Sequence, residues 1–238
     1  MKLDILAFGA HPDDVELGCG GTIAKEISLG KKVGIIDLTR GELGTRGSAI
    51  IRDSEANNAA KILGVSIREN LNMLDGFFVN DENHQLEVIK MIRKYRPEIV
   101  LCNAIDDRHI DHAKGSKLVS DACFLSGLIK IETEIDGEKQ EYWRPKLVYH
   151  YIQWKNINPD FVVDVTGFTK QRIDAILAYS SQFYDPKSKE PETVIASKNF
   201  LESLNYRLQD FGRLIGTDFA EGFTVERYLA VNSLSDLR

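Results

Sequence analysis

Nowhere along the 238 residues does an apolar run approach the roughly 18 residues that a membrane span needs, and no block of basic residues stands ready for a phosphate backbone. The formal net charge is −6, from 36 acidic and 30 basic side chains interspersed along the chain. Nucleic acid is therefore not expected as a partner, nor a membrane, and a small molecule fits better. Cysteine is scarce: Cys19, Cys102 and Cys123 are odd in number and lie inside predicted elements. They read as reduced core thiols of a cytoplasmic protein rather than a disulfide frame. The opening Met1-Lys2-Leu3-Asp4 sets an acid in the first apolar run and lacks a small-residue cleavage pattern, so export is not expected either. Internal repeats, low-complexity tracts and long linkers are also missing. Residues 1–238 are expected to form one domain, with 185–191 as a polar surface loop.

What is present is an alternation of strand and helix signals. Strands are predicted near 3–9, 33–38 and 98–103, and helices near 16–29, 48–63, 83–95 and 113–125, the first two stopped by Gly30 and Gly64. Later signals place strands at 147–153 and 161–165, helices at 169–181 and 194–214, and a short closing strand near 228–231. The pattern predicts an α/β fold, a Rossmann-like and mostly parallel sheet flanked by helices, with its site at the carboxyl ends of the strands.

Two clusters stand directly after two of those strands. His11-Pro12-Asp13-Asp14 follows the first, and His109-Ile110-Asp111-His112 follows the run Ile99–Cys102; three of the five histidines are there. His11 and Asp14 are three residues apart, as are His109 and His112, which sets each pair on one side of a helical turn. Catalytic zinc takes three ligands from His and carboxylate and keeps a fourth position open. His11, Asp14 and His112 supply the three, one Zn2+ per chain, other divalent metals being compatible with the same donors. Asp13 is left over as a general base, His109 as an imidazolium near a developing oxyanion or leaving nitrogen, and Asp111 as the residue that orients it. Each cluster alone reads as easily as a helix start; their coincidence favours the metal.

Gly18-Cys19-Gly20-Gly21 suggests a dinucleotide fingerprint, but its third glycine position is Ile23 and the run falls inside a helix. Close helix–sheet packing is the better reading. After the second strand, Arg40–Gly47 forms a glycine-rich loop on the same edge as both clusters, where Arg46 and, beyond it, Arg52 could bind a carboxylate or sugar hydroxyls. His150 reads as packing within a strand and His84 as a helix-start residue.

With Ala10-His11-Pro12-Asp13-Asp14-Val15-Glu16 and His109-Ile110-Asp111-His112, nearly the whole chain resembles the LmbE-like, or PIG-L, family of zinc-dependent N-deacetylases. Thr39–Gly47 followed by Arg52-Asp53-Ser54-Glu55 is similar to its bacillithiol-biosynthesis branch. The resemblance implies removal of acetate from an N-acetylglucosaminyl glycoside, N-acetylglucosaminyl malate in that branch, with the ligands and base assigned above, Arg52 near the sugar, and homo-oligomers. Ile110 stands where the family commonly has proline. The rival readings are an amidase of the same family cleaving thiol-sugar S-conjugates, and a non-catalytic nucleotide-binding module.

Overall fold

A computed structural model describes residues 1–236; Leu237 and Arg238 of the expected domain lie outside the described residues. The first half runs β1 (Ile5–Gly9), α1 (Asp14–Ser28), β2 (Val33–Thr39), α2 (Ala49–Leu63), β3 (Ile67–Met73), α3 (Glu82–Tyr95), β4 (Ile99–Cys102) and α4 (Ile110–Leu125). A small hairpin, β5 (Glu134–Ile135) and β6 (Glu138–Lys139), leads to β7 (Leu147–Tyr151) and β8 (Phe161–Asp164). The chain ends with α5 (Thr169–Leu177), α6 (Lys198–Ser203), α7 (Tyr206–Ile215) and β9 (Ala220–Val225), besides two 3₁₀ turns. Among the described residues no helix is long and apolar enough to cross a membrane.

Seven strands form one sheet in the order β3-β2-β1-β4-β7-β9-β8. Pairing is parallel from β3 through β7, and β9 runs antiparallel to both β7 and β8. Side chains alternate across β1: Leu6 and Phe8 join the core under α3 and α4, while Ile5 and Ala7 join the one under α1, α2 and α5. Both faces are thus covered, as a parallel sheet requires. From β1 the chain steps outward to β2 and β3, then returns to β4 on the other side of β1. Strand order reverses there, so the carboxyl ends of β1 and β4 open on one crevice.

Of three departures from the predicted elements, the first two share a cause. Strand β3 escapes the sequence pattern because Arg68, its inward residue, is charged; it is buried and satisfied by Asp37 at 2.7 and 2.8 Å and Glu16 at 2.5 Å. The closing strand is Ala220–Val225 instead of 228–231, and its inward Glu221 is an acid. That carboxylate accepts from the backbone N–H of Gly21 (2.9 Å) and Thr22 (2.7 Å). Those donors lie just past a break in α1 at Cys19 (φ −149°, ψ 21°). The helix predicted over 194–214 is three pieces, because Ser197 leaves the helical path and its Oγ caps α6 by accepting from the Phe200 N–H at 3.1 Å.

The glycines of α1 mark close packing, as expected. A Cβ on Gly18 would lie 2.2 Å from the Tyr151 ring, and one on Gly21 3.0 Å from Val165. Gly18→Ala must displace Tyr151, whose hydroxyl donates to the Phe8 carbonyl at 2.8 Å. Overpacking of this kind costs about 1–3 kcal/mol, or a Tm lower by roughly 2–12 °C for a chain of this size. Thermal unfolding followed by circular dichroism checks this, and an unchanged Tm would contradict the packing.

Candidate functional site

The turn from β1 into α1 is held by its neighbours through backbone groups. Asn103, just past β4, accepts the Ala10 N–H at 2.9 Å, and Thr39 at the end of β2 donates to the Ala10 carbonyl from its N–H (3.0 Å) and its hydroxyl (2.8 Å). The turn closes with Asp13 at φ 113°, a left-handed conformation that costs a non-glycine residue about 1–3 kcal/mol. Asp13 precedes α1 but its side chain caps nothing. Arg52 fixes it: Nη2 donates to the Pro12 carbonyl at 2.5 Å and to Asp13 Oδ2 at 3.3 Å.

His11, Asp14 and His112 come together. Asp14 Oδ2 lies 3.6 Å from His11 Nδ1, and its Oδ1 lies 3.1 Å from His112 Nε2. The far nitrogen of each imidazole is held by acids: His11 Nε2 by Asp75 (3.0 Å) and Asp111 (3.3 Å), His112 Nδ1 by Asp107 (2.5 Å). A carboxylate that fixes one ring nitrogen as N–H leaves the other with a lone pair, the second-sphere pattern of metal-bound histidine. Here both of those nitrogens face the Asp14 carboxylate as imidazolium N–H groups, whose protons a bound cation would displace. The donors therefore fit one divalent cation: two nitrogens and an oxygen on convergent, oriented side chains. His109 is close as well, its ring 4.7 Å from His11 and 5.0 Å from His112, and suitable atoms of the three histidines lie within 4.8 Å of one another. Its Nδ1, however, accepts the Asp111 backbone N–H at 3.3 Å.

Electrostatics separate the two aspartates. Burial raises both carboxyls; for Asp14 the charges and hydrogen bonds of His112 and His11 win and hold it well below the ordinary value. Asp13 is left with burial as the largest effect, opposed by Arg52 and reinforced by Asp14, and is pushed up to about 7. Burial opposes the charged form of His112, but Asp14 and Asp107 outweigh it and lift the imidazole to about 9. His109 goes the other way, lowered by burial and by the charges of His11 and His112.

Several sequence expectations need correction. His109 is depressed toward the neutral form where an imidazolium was expected. Asp111 holds it through its backbone N–H and not through its carboxylate. Two residues apart on a helix, the side chains diverge, and the Asp111 carboxylate accepts from the Gly76 N–H (2.7 Å) and Lys114 (2.8 Å) besides contacting His11. Arg46, only 4% exposed, is tied to the Phe183 carbonyl (3.5 Å) and the Ser188 hydroxyl and does not line the cavity. Arg52 does line it, from beneath Asp13. His150 packs away from the site, against Ser116 (2.7 Å) and Glu226 (3.0 Å), and the three cysteines are free and buried.

Sequence reasoning missed Asp75, Asp107, Asn103 and Gln153. Gln153 donates to Asp14 Oδ1 at 2.9 Å and accepts from Asn103 Nδ2 at 2.9 Å, while Asn103 Nδ2 also donates to Asp14 Oδ2 at 3.0 Å. Asp75, Asn103 and Gln153 each fall one or two residues after a strand, and that position was the available signal. Asp75, Asp107 and Gln153 open on a cavity of about 1180 Å³ with the two clusters, while Asn103 is buried behind it.

The PIG-L family, described as GlcNAc-PI de-N-acetylase, matches residues 6–123, a span holding both clusters. An uncharacterized deacetylase of Escherichia coli (strain K12), YaiS, is 40% identical over 160 residues, which cover 60% of this chain and 86% of that protein. Among solved structures, the conserved protein TT1542 from Thermus thermophilus superposes with a TM-score of 0.86 at 34% identity, covering 97% of this chain and 98% of that one. The N,N'-diacetylchitobiose deacetylase from Pyrococcus horikoshii gives a TM-score of 0.79 at 25% identity, covering 98% and 88%.

The acids behind the imidazoles generate a test. Asp107→Asn and Asp75→Asn are each expected to weaken Zn2+ binding by about 10- to 100-fold, and His112→Ala to weaken it further, in a titration against a competing chelator. Wild-type affinity in both aspartate variants would leave the orientation of the imidazoles without consequence for the metal.

Proposed function

We propose, for a chain that belongs to the PIG-L family, that its deacetylase activity is the zinc-dependent hydrolysis of the N-acetyl group of an N-acetylglucosaminyl glycoside. The observation that carries this reading is a free carboxylate oxygen beside a metal-type donor set. Arg52 occupies Asp13 Oδ2, which leaves Oδ1 as the base, next to the His11, Asp14 and His112 donors in one cavity. A zinc ion held by those three residues would supply Lewis-acid polarisation of the amide carbonyl.

The remaining chemistry belongs to the chain. Asp13 Oδ1 takes the proton of the attacking water and returns it toward the departing amine; a carboxyl near 7 suits both directions at neutral pH. His109, with Nδ1 accepting the Asp111 N–H, carries its proton on Nε2 and donates it as a neutral imidazole to the developing oxyanion. Arg52 holds Asp13 in its left-handed turn and lines the cavity beside it, near the sugar.

For the aglycone we propose malate, in bacillithiol biosynthesis, on the resemblance of Thr39–Gly47 and Arg52–Glu55. Among the arginines Arg108 suits the carboxylates: it is exposed, lines the cavity beside His109, and stacks its guanidinium 4.6 Å from the Trp154 ring centroid. Arg46 holds the glycine loop instead. The exposed apolar side chains Leu43 and Ile110, which line the cavity, Leu74 and Phe77, which flank its lining residues Asp75 and Gly76, and Ile50 on α2 support assembly as a homo-oligomer.

Asp13→Asn is expected to keep its metal and lose turnover by a factor on the order of 100 to 10,000, measured as acetate release. The sign of the pH effect follows from Arg52, whose charge lowers the Asp13 carboxyl. The base works ionised, so activity falls as pH drops through its pKa, and Arg52→Met is expected to move that acid limb to higher pH. An unmoved limb would detach Asp13 from the profile.

Substrate choice is tested with N-acetylglucosaminyl malate, free N-acetylglucosamine and a thiol-sugar conjugate. A charge-assisted hydrogen bond is worth roughly 1.5–3 kcal/mol, so the malate glycoside should exceed the free sugar in kcat/KM by about 10- to 100-fold. Equal rates would remove the carboxylate, and a preference for the conjugate would make the chain an amidase.

A further inference from the structure

The cavity at the metal-type cluster is larger than an aminosugar and a small acid require. Its volume, about 1180 Å³, exceeds the roughly 300–1,000 Å³ of sites that enclose drug-sized ligands. It also has two chemically distinct sides. Toward the loops after β2 and β3 the lining is glycine backbone and polar groups, with Gly41, Gly44, Thr45, Asp75 and Arg52 beside a single leucine, Leu43, and suits a polyhydroxylated ring. In the other direction it passes Leu17, one turn along α1 from Asp14, and runs under α6 and α7 between Ile152, Phe200, Leu204, Leu208 and Phe211. Ile152 and Leu208 are buried, and Phe200 stacks on Trp154 with ring centroids 5.7 Å apart and planes 10° apart.

Charge in this second branch is internally neutralised. Arg172 and Glu221 both line it, but Arg172 Nε lies 3.3 Å from Glu221 Oε1 and its Nη2 donates to the Leu17 carbonyl at 2.7 Å. Both Glu221 oxygens are taken by the α1 backbone. Arg207 and Asp210 also line it and are engaged, Arg207 Nη2 donating to the Trp154 carbonyl at 2.7 Å and Asp210 lying 2.7 Å from Arg213 Nε, while Glu192 is exposed to solvent. Gly222 lets Phe211 and Ile152 close over β9 as the wall of this branch, because a Cβ at that position would lie 2.8 Å from the Phe211 ring and 3.1 Å from Ile152.

We propose that this branch is an acyl chamber, so that the chain hydrolyses N-acyl glucosaminides whose acyl group is longer than acetyl. The proposal rests on the deacetylase reading above. With the sugar on the polar side and the amide carbon at the cluster between the two sides, the acyl chain is the part of the substrate that extends under α6 and α7. Each methylene transferred from water to an apolar wall contributes about fourfold in affinity. Butanoyl should therefore gain on the order of tenfold over acetyl where the chamber receives it.

The test uses the zinc-loaded full chain and the N-acetyl, N-butanoyl and N-hexanoyl derivatives of one glucosamine glycoside. The expected result is a kcat/KM that rises from acetyl to butanoyl and is held at hexanoyl. Leu204→Gln and Phe200→Ala should each cut the hexanoyl-to-acetyl ratio at least tenfold. A second arm reads binding without turnover. In a Trp143→Phe, Asp13→Asn protein, Trp154 is the sole tryptophan, and the N-hexanoyl compound should shift its fluorescence while free glucosamine does not. Should either chamber variant fail to fold, the other and the fluorescence arm decide. Hydrolysis of the acetyl compound with butanoyl at least ten times slower and Trp154 unmoved overturns the chamber and leaves the deacetylase reading standing. No hydrolysis of any of the three overturns both.

Discussion

The carboxylate of Asp14 is the joint on which the site hangs. Its Oδ2 accepts from the His11 N–H at 2.9 Å and from Asn103, and its Oδ1 accepts from Gln153 and meets His112. Those partners come from the ends of β1, β4 and β7 and from the first turn of α4, so one side chain fastens four elements to one point. Buried and fully partnered, it stays ionised where an unpaired acid would not. The strand order supplies the opportunity, since only beside the reversal at β1 can the ends of β1 and β4 share a crevice. Sequence far from the clusters thus controls their distance.

Behind that joint lies a second charged layer. Arg68 reaches from β3 to Asp37 on β2 and Glu16 on α1, and the Tyr179 hydroxyl donates to Glu16 at 3.1 Å. Removing one partner from such a set leaves an uncompensated buried charge, which costs more than the set contributes when whole. The layer therefore registers α1 against the sheet more than it strengthens the fold, and α1 is the helix that begins at Asp14. On the other side of the same helix, Glu221 grips its second segment at Gly21 and Thr22, and Arg172 holds the Leu17 carbonyl just before the break. Between these two grips the helix has little freedom to carry the catalytic turn away from His112.

The clusters were legible because their residue types are rare and both follow apolar runs, a coincidence that folding alone seldom produces. Their supports were not: a lone Asp after β3 or a Gln two residues past β7 looks like any polar loop residue, and only the topology brings it to Asp14. The sheet was legible wherever strands face apolar side chains inward. At β3 and β9 the inward positions are Arg68 and Glu221, and period-2 alternation vanished with them. Arg46 was visible as a loop arginine, yet nothing local signals that Phe183 and Ser188, far along the chain, absorb its guanidinium.

The left-handed backbone at Asp13 bears on how this sequence can drift. Glycine adopts φ 113° freely, and an aspartate pays for it. Mutation of Asp13 to glycine would release that backbone strain, at the expense of the carboxylate that meets the buried Arg52 guanidinium at 3.3 Å. Every other neighbour of the turn, from Thr39 to Asn103, is also a structural partner, so its retention says nothing about catalysis. Position 13 alone in the turn sets the two pressures in opposite directions, and among diverging copies of this chain a glycine there would mark lineages that kept the fold after releasing the chemistry.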